Sequence, residues 1–560
     1  MATTSSSPLF LGFDLSTQQL KAALVDRSGS VVHESSVHFD RELPQFGTTN
    51  GALHGDGDVP GEVYCHVVVW IEALDLLMNK LKTAGVKFGD IVAISGAAQQ
   101  HGSVYWDEAA GPLLHNLDAT QPLACQLVPE AFSTCKCPIW QDSSTTEECH
   151  IIENELGGPH TVSNLTGSRA YERFTGPQIF KLYRKHRGIY DATKHISLIS
   201  SFLASLFLCR IAPMEVSDAS GMNLMNIETH KWCNEILEVC GGPSLRAKLG
   251  PEPVEGGTVI GNIGKWWIDR WGFNPTCIIA PFTGDNPSTV VSLSSHGDVI
   301  LSLGTSTTLL ISIPPSTSAP KRTITSHLLA DPTDREGFVA MLCYKNGALA
   351  REYVRDHHSS KDWSVFNKLV ESTPTGNDGY MGFYFPLFEI IPQNVIGDFF
   401  FHNGELISSF PDHKYHPRAI LESQLLSIRS RIISILPKDS HPLKRLLLTG
   451  GSSANEVIRQ MAADILHLDT YVAESKEGGA IGGALLAMFA WRKQQQGGEG
   501  ELEELKKSLK SDGFKLVARP DPERAEIYED SVGLYRKCEH KVIELNASKG
   551  AELDDEDDDI

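Results

Sequence analysis

The sequence has few basic residues for its number of acidic ones. It contains 49 Lys and Arg against 70 Asp and Glu, which gives a formal net charge of -21. Because nucleic-acid binding depends on neutralising phosphates with Lys and Arg, this balance argues against a broad nucleic-acid surface. We therefore expect no nucleic-acid partner.

Long apolar runs are also missing. The most apolar helical segment, Ile196–Leu208, is too short and too rich in serine to span a bilayer. We expect it to be a core helix, and we expect no membrane association. The first ten residues, MATTSSSPLF, lack the basic and apolar regions of a secretory signal and the arginines of a transit peptide. These features predict a cytoplasmic protein.

Recognisable metal and nucleotide motifs are absent as well. Cys125, Cys135, Cys137 and Cys149 do not have the spacing of zinc ligands, so the eleven cysteines are interpreted as reduced thiols. The glycine-rich turns contain neither the G-x-x-x-x-G-K-[ST] motif nor the Rossmann fingerprint. Any nucleotide site must therefore be assembled from separated loops.

Strand-like and helix-like segments alternate through most of the 560 residues, which predicts an α/β protein with more than one domain. In PLKRLLLTGGSSANEVIRQMAADIL, from Pro442, an apolar strand runs into a Gly-Gly turn and then a helix. The polar stretch Arg492–Gly513 has the composition of a surface insertion or a flexible helical excursion. The end of the chain, Glu552–Ile560, has seven acidic residues and predicts a disordered tail.

Two segments place a strand, a turn with Ser and Thr, and another strand in the same order. They are LFLGFDLSTQQLKAALV and VILSLGTSTTLLIS. The pattern fits an internal duplication, and it also fits two unrelated hairpins. The pattern does not choose between them.

The turn of the first hairpin has the groups that phosphate needs. Its backbone N–H groups and the hydroxyls of Ser16 and Thr17 can surround phosphate oxygens. Asp14 would repel a phosphate, so its useful role would be to orient Mg²⁺ or the waters of that ion. The alternative is a hairpin whose polar side chains satisfy local backbone groups only.

Other polar segments suit a hydroxylated substrate. In AAQQHGSVYW, two amides and His101 follow a strand and can pair with sugar hydroxyls, although a loop histidine with local partners is the alternative. TGSRAYERF offers Arg169 and Arg173. In CIIAPFTGDNPST, a strand delivers Asp285 into a turn beside Asn286, where a carboxylate could accept a hydroxyl proton. Ordinary turn chemistry explains Asp-Asn-Pro equally well.

Two later glycine-containing turns resemble parts of a nucleotide site. LSLGTSTT offers a second turn that can surround phosphate, and LTGGSSANE offers a loop whose glycines let a ribose or a flat ring approach the backbone. The residues concerned are Gly304, Thr305 and Ser306 in the first turn, and Gly450, Gly451 and Asn455 in the second.

Taken in order, these motifs resemble those of the FGGY family of carbohydrate kinases. The matching stretches are GFDLSTQQLKAALVD, QQHG, GDNPST, SLGTSTT and TGGSSANEVIRQMAAD, and the resemblance runs from the first hairpin to the helix near Tyr535. LTGSRAYERFTGPQI and GFYFPLFEIIP are similar to segments of the subgroup that phosphorylates D-xylulose. The chain departs from many members in having Leu15-Ser16-Thr17 for Gly-Thr, and GGSSAN for Gly-Gly-Gly or Ala-Lys-Ser, which leaves the nucleoside contacts open.

The resemblance implies a fold and a domain division. It implies an α/β protein with two ribonuclease-H-like domains of the actin-like ATPase type that enclose a cleft. We expect an N-terminal domain at 1–290 with the sugar and phosphate loops, a C-terminal domain at 291–549 with the nucleotide loops, and an acidic disordered tail at 550–560.

The resemblance also implies an activity, namely phosphoryl transfer from magnesium-bound ATP to D-xylulose, with no obligatory protein partner. It makes Asp285 the general base and Asp14 the residue that holds Mg²⁺, through water. The expected sugar ligands are His101, Arg169, Asp285 and Asn286; the expected ATP-binding residues are Ser16, Thr17, Gly304, Thr305, Ser306, Trp363, Gly450, Gly451 and Asn455. The alternatives are a kinase for another ketose or a polyol, a non-catalytic sugar or nucleotide sensor, and a chaperone-like ATPase.

Overall fold

The computed structural model describes residues 7–557 except 56, 58, 474–477 and 510–512, and it describes side chains as far as residue 547. The chain divides into two compact units. The first comprises residues 1–295, 327–339 and 477–512, and the second comprises residues 296–326, 340–476 and 513–560.

This division differs from the predicted domains in one respect. The first break, after residue 295, lies close to the predicted boundary at 290, but residues 327–339 and 477–512 return to the first unit. The physical reason for the second return is an apolar helix within 477–512 that packs on the first unit's sheet. The side chains of the predicted acidic tail, 550–560, lie outside the described residues, so the tail stays a prediction.

The two central sheets contain fourteen strands among the described residues, namely His327–Ala330 and thirteen that are numbered below. In chain order they are β1 (Leu9–Leu15), β2 (Gln19–Val25), β3 (Val31–His38), β4 (Ile91–Ala98), β5 (Gly261–Asn262), β6 (Ile278–Ile279), β7 (Thr283–Gly284), β8 (Asp298–Leu303), β9 (Thr307–Ser312), β10 (Phe338–Tyr344), β11 (Arg445–Thr449), β12 (Thr470–Ala473) and β13 (Phe514–Ala518).

The helices that pack on these sheets or carry polar residues of interest follow the same numbering. They are α1 (Val67–Thr83), α2 (Ile199–Leu208), α3 (Val216–Ala219), α4 (Asp285–Leu293), α5 (Gly347–His358), α6 (Trp363–Ser372), α7 (Tyr415–Ile435), α8 (Glu456–Leu466), α9 (Gly478–Gln495), α10 (Leu502–Ser508) and α11 (Pro522–Asp557).

The first unit's sheet has the strand order β5-β6-β4-β1-β2-β3, and β7 also pairs with β4. β1 runs antiparallel to β2 and parallel to β4. β1 is apolar along nearly its whole length, LFLGFDL, because helices cover both faces of the sheet. The parallel register ends with Leu15 opposite Ala98, so the turn after β1 and the loop after β4 lie at the same edge.

The second unit repeats this arrangement. The numbered strands of its sheet follow the order β10-β9-β8-β11-β12-β13, in which β8 runs antiparallel to β9 and parallel to β11. The hairpin β8-β9 therefore corresponds to the hairpin β1-β2, as the sequence comparison suggested. In each unit the turn of the hairpin and the loop after the parallel strand lie side by side.

Helix α9 comes close to the first sheet because glycines lie where the two are in contact. A Cβ on Gly12 would lie 2.0 Å from the carbonyl oxygen of Ala480, and one on Gly483 would lie 2.6 Å from the Cα of Gly96. The helix and α10 complete a core cluster with Phe10 and Ala93. The segment Arg492–Gly513, predicted to be a surface insertion or a flexible helical excursion, contains α10, and the buried Leu502 and Leu505 of that helix anchor it in this cluster.

The apolar segment Ile196–Leu208 contributes the core helix that was predicted. Every residue of α2 is buried. Among the described residues, none of the helices combines the length and the apolar character that a membrane crossing needs. All eleven cysteines are free thiols.

Candidate active site

Asp14 lies at the end of β1 beside the turn of the hairpin. The register places it opposite Lys21, whose Nζ is 4.0 Å from its Oδ2, and the hydroxyl of Ser16 donates to the same oxygen at 2.8 Å. Asp14 is 6% exposed. A Cβ on Gly479 would lie 2.8 Å from its carboxyl carbon, so only a glycine there leaves room beside the carboxylate.

Thr17 connects the hairpin turn to the neighbouring loops. Its hydroxyl accepts a hydrogen bond from Trp140 Nε1 at 2.8 Å and donates to Gln99 Oε1 at 3.4 Å. Gly51, in the left-handed region, comes so close that a Cβ would lie 1.9 Å from the carbonyl oxygen of Thr17. These contacts fix the shape of the turn, so that Ser16 lies next to Asp14.

Asp285 is the first residue of α4, directly after β7, so the predicted turn is the start of a helix. The backbone N–H of Asn286 donates to its Oδ1 at 2.9 Å, and Asn286 Nδ2 donates to Gln100 Oε1 at 2.9 Å. Burial, followed by the negative charge of Asp14, raises the pKa of Asp285 to about 7. A carboxylate with such a pKa is about half ionised at neutral pH, and its ionised form can accept a proton there.

His101 is buried and neutral. It adopts a left-handed backbone conformation with φ 72°, and its Nδ1 lies 2.8 Å from the carbonyl oxygen of Gly221. A carbonyl only accepts, so Nδ1 carries the proton and Nε2 is left as an acceptor. Burial, and then the charge of Arg173, lower the pKa of His101 to about 3. The ring stacks on Phe174, with 4.3 Å between ring centroids.

Arg169 is held by a carboxylate rather than by the groups around Asp285. Its Nε and Nη2 donate to the two oxygens of Glu153 at 2.9 and 2.8 Å, a two-pronged ion pair. The backbone oxygen of Arg169 accepts from Asn223 Nδ2 at 3.2 Å. The guanidinium is thus fixed in orientation, and its predicted role as a sugar ligand stays a prediction.

Two of the predicted nucleotide loops are in contact within the second unit. The turn Gly304–Ser306 joins β8 to β9, and Gly450 follows β11 with φ 82°. A Cβ on Gly450 would lie 2.6 Å from the carbonyl carbon of Leu303 and 2.8 Å from the nitrogen of Gly304. Nothing lies within 4 Å of a Cβ placed on Gly451, so the next residue of the loop faces open space.

Asn455 and Trp363 stand at the starts of two helices in the same unit. Asn455 caps α8 by accepting from the N–H groups of Val457 and Ile458, and its Nδ2 donates to Asn367 Oδ1 of α6 at 2.9 Å. Trp363 is the first residue of α6, and the guanidinium carbon of Arg355 lies 4.9 Å from its ring centroid. The cap therefore ties α8 to the helix that carries Trp363.

Sequence reasoning missed Arg351 of α5. Its Nη1 donates to Thr307 Oγ1 at 3.2 Å and to Gln424 Oε1 at 2.8 Å, and its Nη2 lies 3.5 Å from Ser452 Oγ. Arg351 is 2% exposed and has no carboxylate partner among the described side chains. It faces inward with Ala350 and Val354, so a charged residue within an apolar helical stripe is the signal that could have revealed it.

Sequence reasoning also missed Glu215 and Asp218, in the segment MEVSDASGMN. Glu215 is fully buried, and burial raises its pKa to about 8; Asp218 is 2% exposed, and burial raises its pKa to about 7. Both lie beside β7, the strand that precedes Asp285. No pattern in the sequence connects this segment with GDNPST, because 60 residues lie between Asn223, where the segment ends, and Gly284.

Comparison with known proteins gives the family. The model of the N-terminal domain of the FGGY family of carbohydrate kinases matches residues 133–292, and the model of its C-terminal domain matches residues 299–491. The mouse protein named xylulose kinase is 40% identical over 541 residues, which cover 95% of this chain and 94% of the mouse chain. Xylulose kinase 2 of Arabidopsis thaliana is 39% identical over 512 residues, which cover 89% and 90%.

Solved structures share the fold. A ligand-bound xylulose kinase from Lactobacillus acidophilus has a TM-score of 0.76 and 16% identity, covering 97% of this chain and 99% of that chain. A gluconate kinase from the same organism has the same TM-score and identity, covering 97% and 100%. The fold is thus the two-domain α/β kinase fold that the motifs implied. The chain belongs to the FGGY family of carbohydrate kinases.

Proposed function

We propose that this protein transfers the γ-phosphoryl group of ATP to the primary hydroxyl of D-xylulose, giving D-xylulose 5-phosphate. The observation that carries the proposal is the 40% identity with the mouse and rat xylulose kinases over nearly the whole chain. The fold alone does not choose the sugar, because the gluconate and xylulose kinase structures match equally well.

Asp285 is the proposed general base. Its carboxylate is held by the N–H of Asn286 and has a pKa raised to about 7, which suits it to take the hydroxyl proton as the new O–P bond forms. Phosphoryl transfer otherwise needs positioning and stabilisation of charge more than covalent chemistry. The sugar would be held by Asn286 and by the Nε2 acceptor of His101, with Arg169 as a third ligand whose orientation Glu153 fixes.

The second unit supplies the proposed nucleotide loops. The contact between Gly450 and Leu303–Gly304 supports a joint phosphate-binding role for the turn Gly304–Ser306 and the loop that begins at Gly450. The open space beside Gly451 suits the nucleoside. Asn455 and Trp363 would border it, while Ser16 and Thr17 would bind phosphate from the hairpin turn of the first unit.

The residues around Asp14 fit a magnesium ion held largely through water. Asp14 and Asp285 are close enough for the negative charge of one to raise the pKa of the other, and the side-chain-free position at Gly479 leaves room beside Asp14. No cluster of three or more His, Cys, Asp or Glu side chains with metal-binding geometry occurs among the described residues, which also favours water as the main ligand. When bound, the ion would neutralise charge on the ATP phosphates.

One assay separates this proposal from its alternatives. Purified protein with Mg-ATP is incubated with D-xylulose, with other ketoses, with polyols, with gluconate and without acceptor, and ADP release is measured. We expect release to depend on the acceptor and kcat/KM to be highest for D-xylulose. Higher kcat/KM for another acceptor would overturn the choice of sugar, release without acceptor would indicate an ATPase, and binding without release would indicate a sensor.

The raised pKa of Asp285 predicts a pH dependence. Because the ionised form is the base, kcat/KM for the sugar should fall tenfold per pH unit below about 7 and level off above it. The measurement is the pH profile of kcat/KM with coupling enzymes kept in excess. A profile that stays flat down to pH 5 would contradict the assignment.

Replacement of Arg351 is expected to weaken nucleotide binding without changing sugar binding. In Arg351→Met, the hydrogen bonds to Thr307 and Gln424 are lost together with the positive charge beside the phosphate loops, so the Kd for ADP should rise about tenfold. Calorimetry with ADP measures this, and the affinity for D-xylulose should not change. Glu352→Gln, at the exposed neighbouring position of α5, is the matched control. Unchanged ADP affinity in Arg351→Met would contradict the role.

A cytoplasmic location accompanies the proposal. Its support is that all eleven cysteines are free, as expected in a reducing compartment. The proposed reaction requires only a small sugar and ATP, and it requires no protein partner.

A further inference from the structure

Two buried acidic residues lie against the strand that carries Asp285. Glu215 caps α3 by accepting from the N–H groups of Ser217 at 2.9 Å and Asp218 at 3.0 Å, and it also accepts from the hydroxyl of Thr283 in β7. This contact fixes α3 against β7. It brings Asp218 next to Gly284, the residue that immediately precedes Asp285.

Gly284 shows how closely Asp218 and Gln100 approach each other. A Cβ on Gly284 would lie 2.7 Å from Asp218 Oδ1 and 2.8 Å from Gln100 Cδ, so the carboxylate and the amide share the space that the missing side chain leaves. The other carboxylate oxygen, Oδ2, accepts from Ser200 Oγ at 2.5 Å. Asp218 Oδ1 and Gln100 Nε2 are both buried, and among the described residues neither has a hydrogen-bond partner. Burial raises the pKa of Asp218, and its interaction with the Gln100 side chain opposes that shift.

The remaining hydrogen bonds of this group have a defined direction. The Oε1 of Gln100 accepts from Asn286 Nδ2 at 2.9 Å, and Asn286 Nδ2 also lies 3.3 Å from Asp285 Oδ1. Each amide thus turns its NH₂ group toward an acceptor. An ionised carboxylate has no proton to donate, so it can only accept hydrogen bonds. An ionised Asp218 therefore favours the orientation in which Gln100 presents Nε2 to Asp218 and Oε1 to Asn286.

We propose that Asp218 is a positioning residue of the kinase reaction: it orients the Gln100 amide, and through it the Asn286 amide, so that Asn286 presents its oxygen to the sugar and its NH₂ group to Asp285. The inference rests on the proposed function, since it explains how hydrogen bonds orient the side chains next to the proposed base, Asp285, and the proposed sugar ligand, Asn286. Asp218 touches neither the sugar nor the transferred phosphoryl group in this scheme.

The test reverses the direction of the hydrogen bond and then restores it. Asp218→Asn places an NH₂ group where the acceptor was, so Gln100 can flip and the Asn286 amide with it; kcat/KM for D-xylulose should fall about 10- to 100-fold. Gln100→Glu should cause a similar loss, because two carboxylates then face each other. In the double variant Asp218→Asn with Gln100→Glu, the new carboxylate accepts from both amides, and kcat/KM should recover at least about tenfold relative to the worse single variant.

Matched controls separate orientation from stability. Asp75→Asn changes another buried Asp whose Oδ1 has no partner among the described residues and whose Oδ2 accepts from Leu123, and its kcat/KM should equal that of the wild type. ADP affinity should be unchanged in all variants. Gln100→Met, which leaves Asp218 in place, should reproduce the loss even if Asp218→Asn does not fold.

The possible results decide the proposal separately from the activity. If the wild type phosphorylates D-xylulose and the double variant is no better than the worse single variant, the positioning role is overturned while the activity stands. Wild-type kcat/KM in Asp218→Asn would overturn the role in the same way. A wild type that phosphorylates no sugar would overturn both.

Discussion

Replacement of Asp285 by Asn is expected to lower kcat about 10²- to 10⁴-fold, the range that a positioned general base contributes. The amide keeps the shape of the side chain and can still accept from the N–H of Asn286, which the carboxylate accepts at 2.9 Å. It cannot take the hydroxyl proton. The affinity for ADP should remain, because the proposed nucleotide loops belong mainly to the second unit.

The measurement is single-turnover phosphorylation of D-xylulose together with calorimetric binding of ADP. Ser292→Ala is a suitable control in the same helix, since the hydroxyl of Ser292 donates to the backbone carbonyl of Thr289, three residues earlier. Turnover within tenfold of the wild type in Asp285→Asn would remove Asp285 from the role of base. Loss of ADP binding would instead point to a disturbed fold.

Replacement of Asp14 by Asn should have the second large effect, a fall in kcat of about 10²-fold or more at moderate Mg²⁺ concentration. The side chain can still accept from Ser16, which donates at 2.8 Å, so the hairpin turn should persist. What is lost is the negative charge that would orient the ion. Partial recovery of the rate at high Mg²⁺ concentration is expected, with sugar affinity intact.

A magnesium titration of the rate measures this prediction, and Asp26→Asn at the opposite end of the same hairpin is its control. The pH profile gives a second check. The charge of Asp14 contributes to the raised pKa of Asp285, so the midpoint of the profile should move to lower pH in Asp14→Asn. An unchanged magnesium dependence would contradict the assignment.

The architecture could be predicted because it depends on local patterns repeated in order. The strand-turn-strand segments at Leu9–Val25 and Asp298–Ser312 form the two hairpins, and both turns lie beside the loop after a parallel strand. The return of α9 to the first unit could not be predicted, because the sequence of an apolar helix does not indicate which sheet the helix packs on. Gly96 and Gly483, which face each other where the helix meets the sheet, are 387 residues apart.

The residues of the candidate site could be predicted where they belong to a sequence motif. They could not be predicted where a single side chain contributes. Asp14, Ser16 and Asp285 lie together in the first unit, as expected from GFDLST and GDNPST. Asp218 and Arg351 gave no motif, because each is a single polar residue whose hydrogen-bond partners are distant in sequence. Only the packed structure brings those groups within reach.

The late position of α9 and α10 in the chain has a consequence for biosynthesis. Their side chains complete the core that contains Phe10 and Ala93, which precede Ala484 of α9 by 474 and 391 residues. Domains generally fold as units while the chain is made, with the N-terminal one first. Here residue 505 must leave the ribosome before the first unit can complete its core. We therefore expect the nascent chain to expose an apolar face of the first sheet while the second unit is synthesised, and to depend on chaperones during that interval.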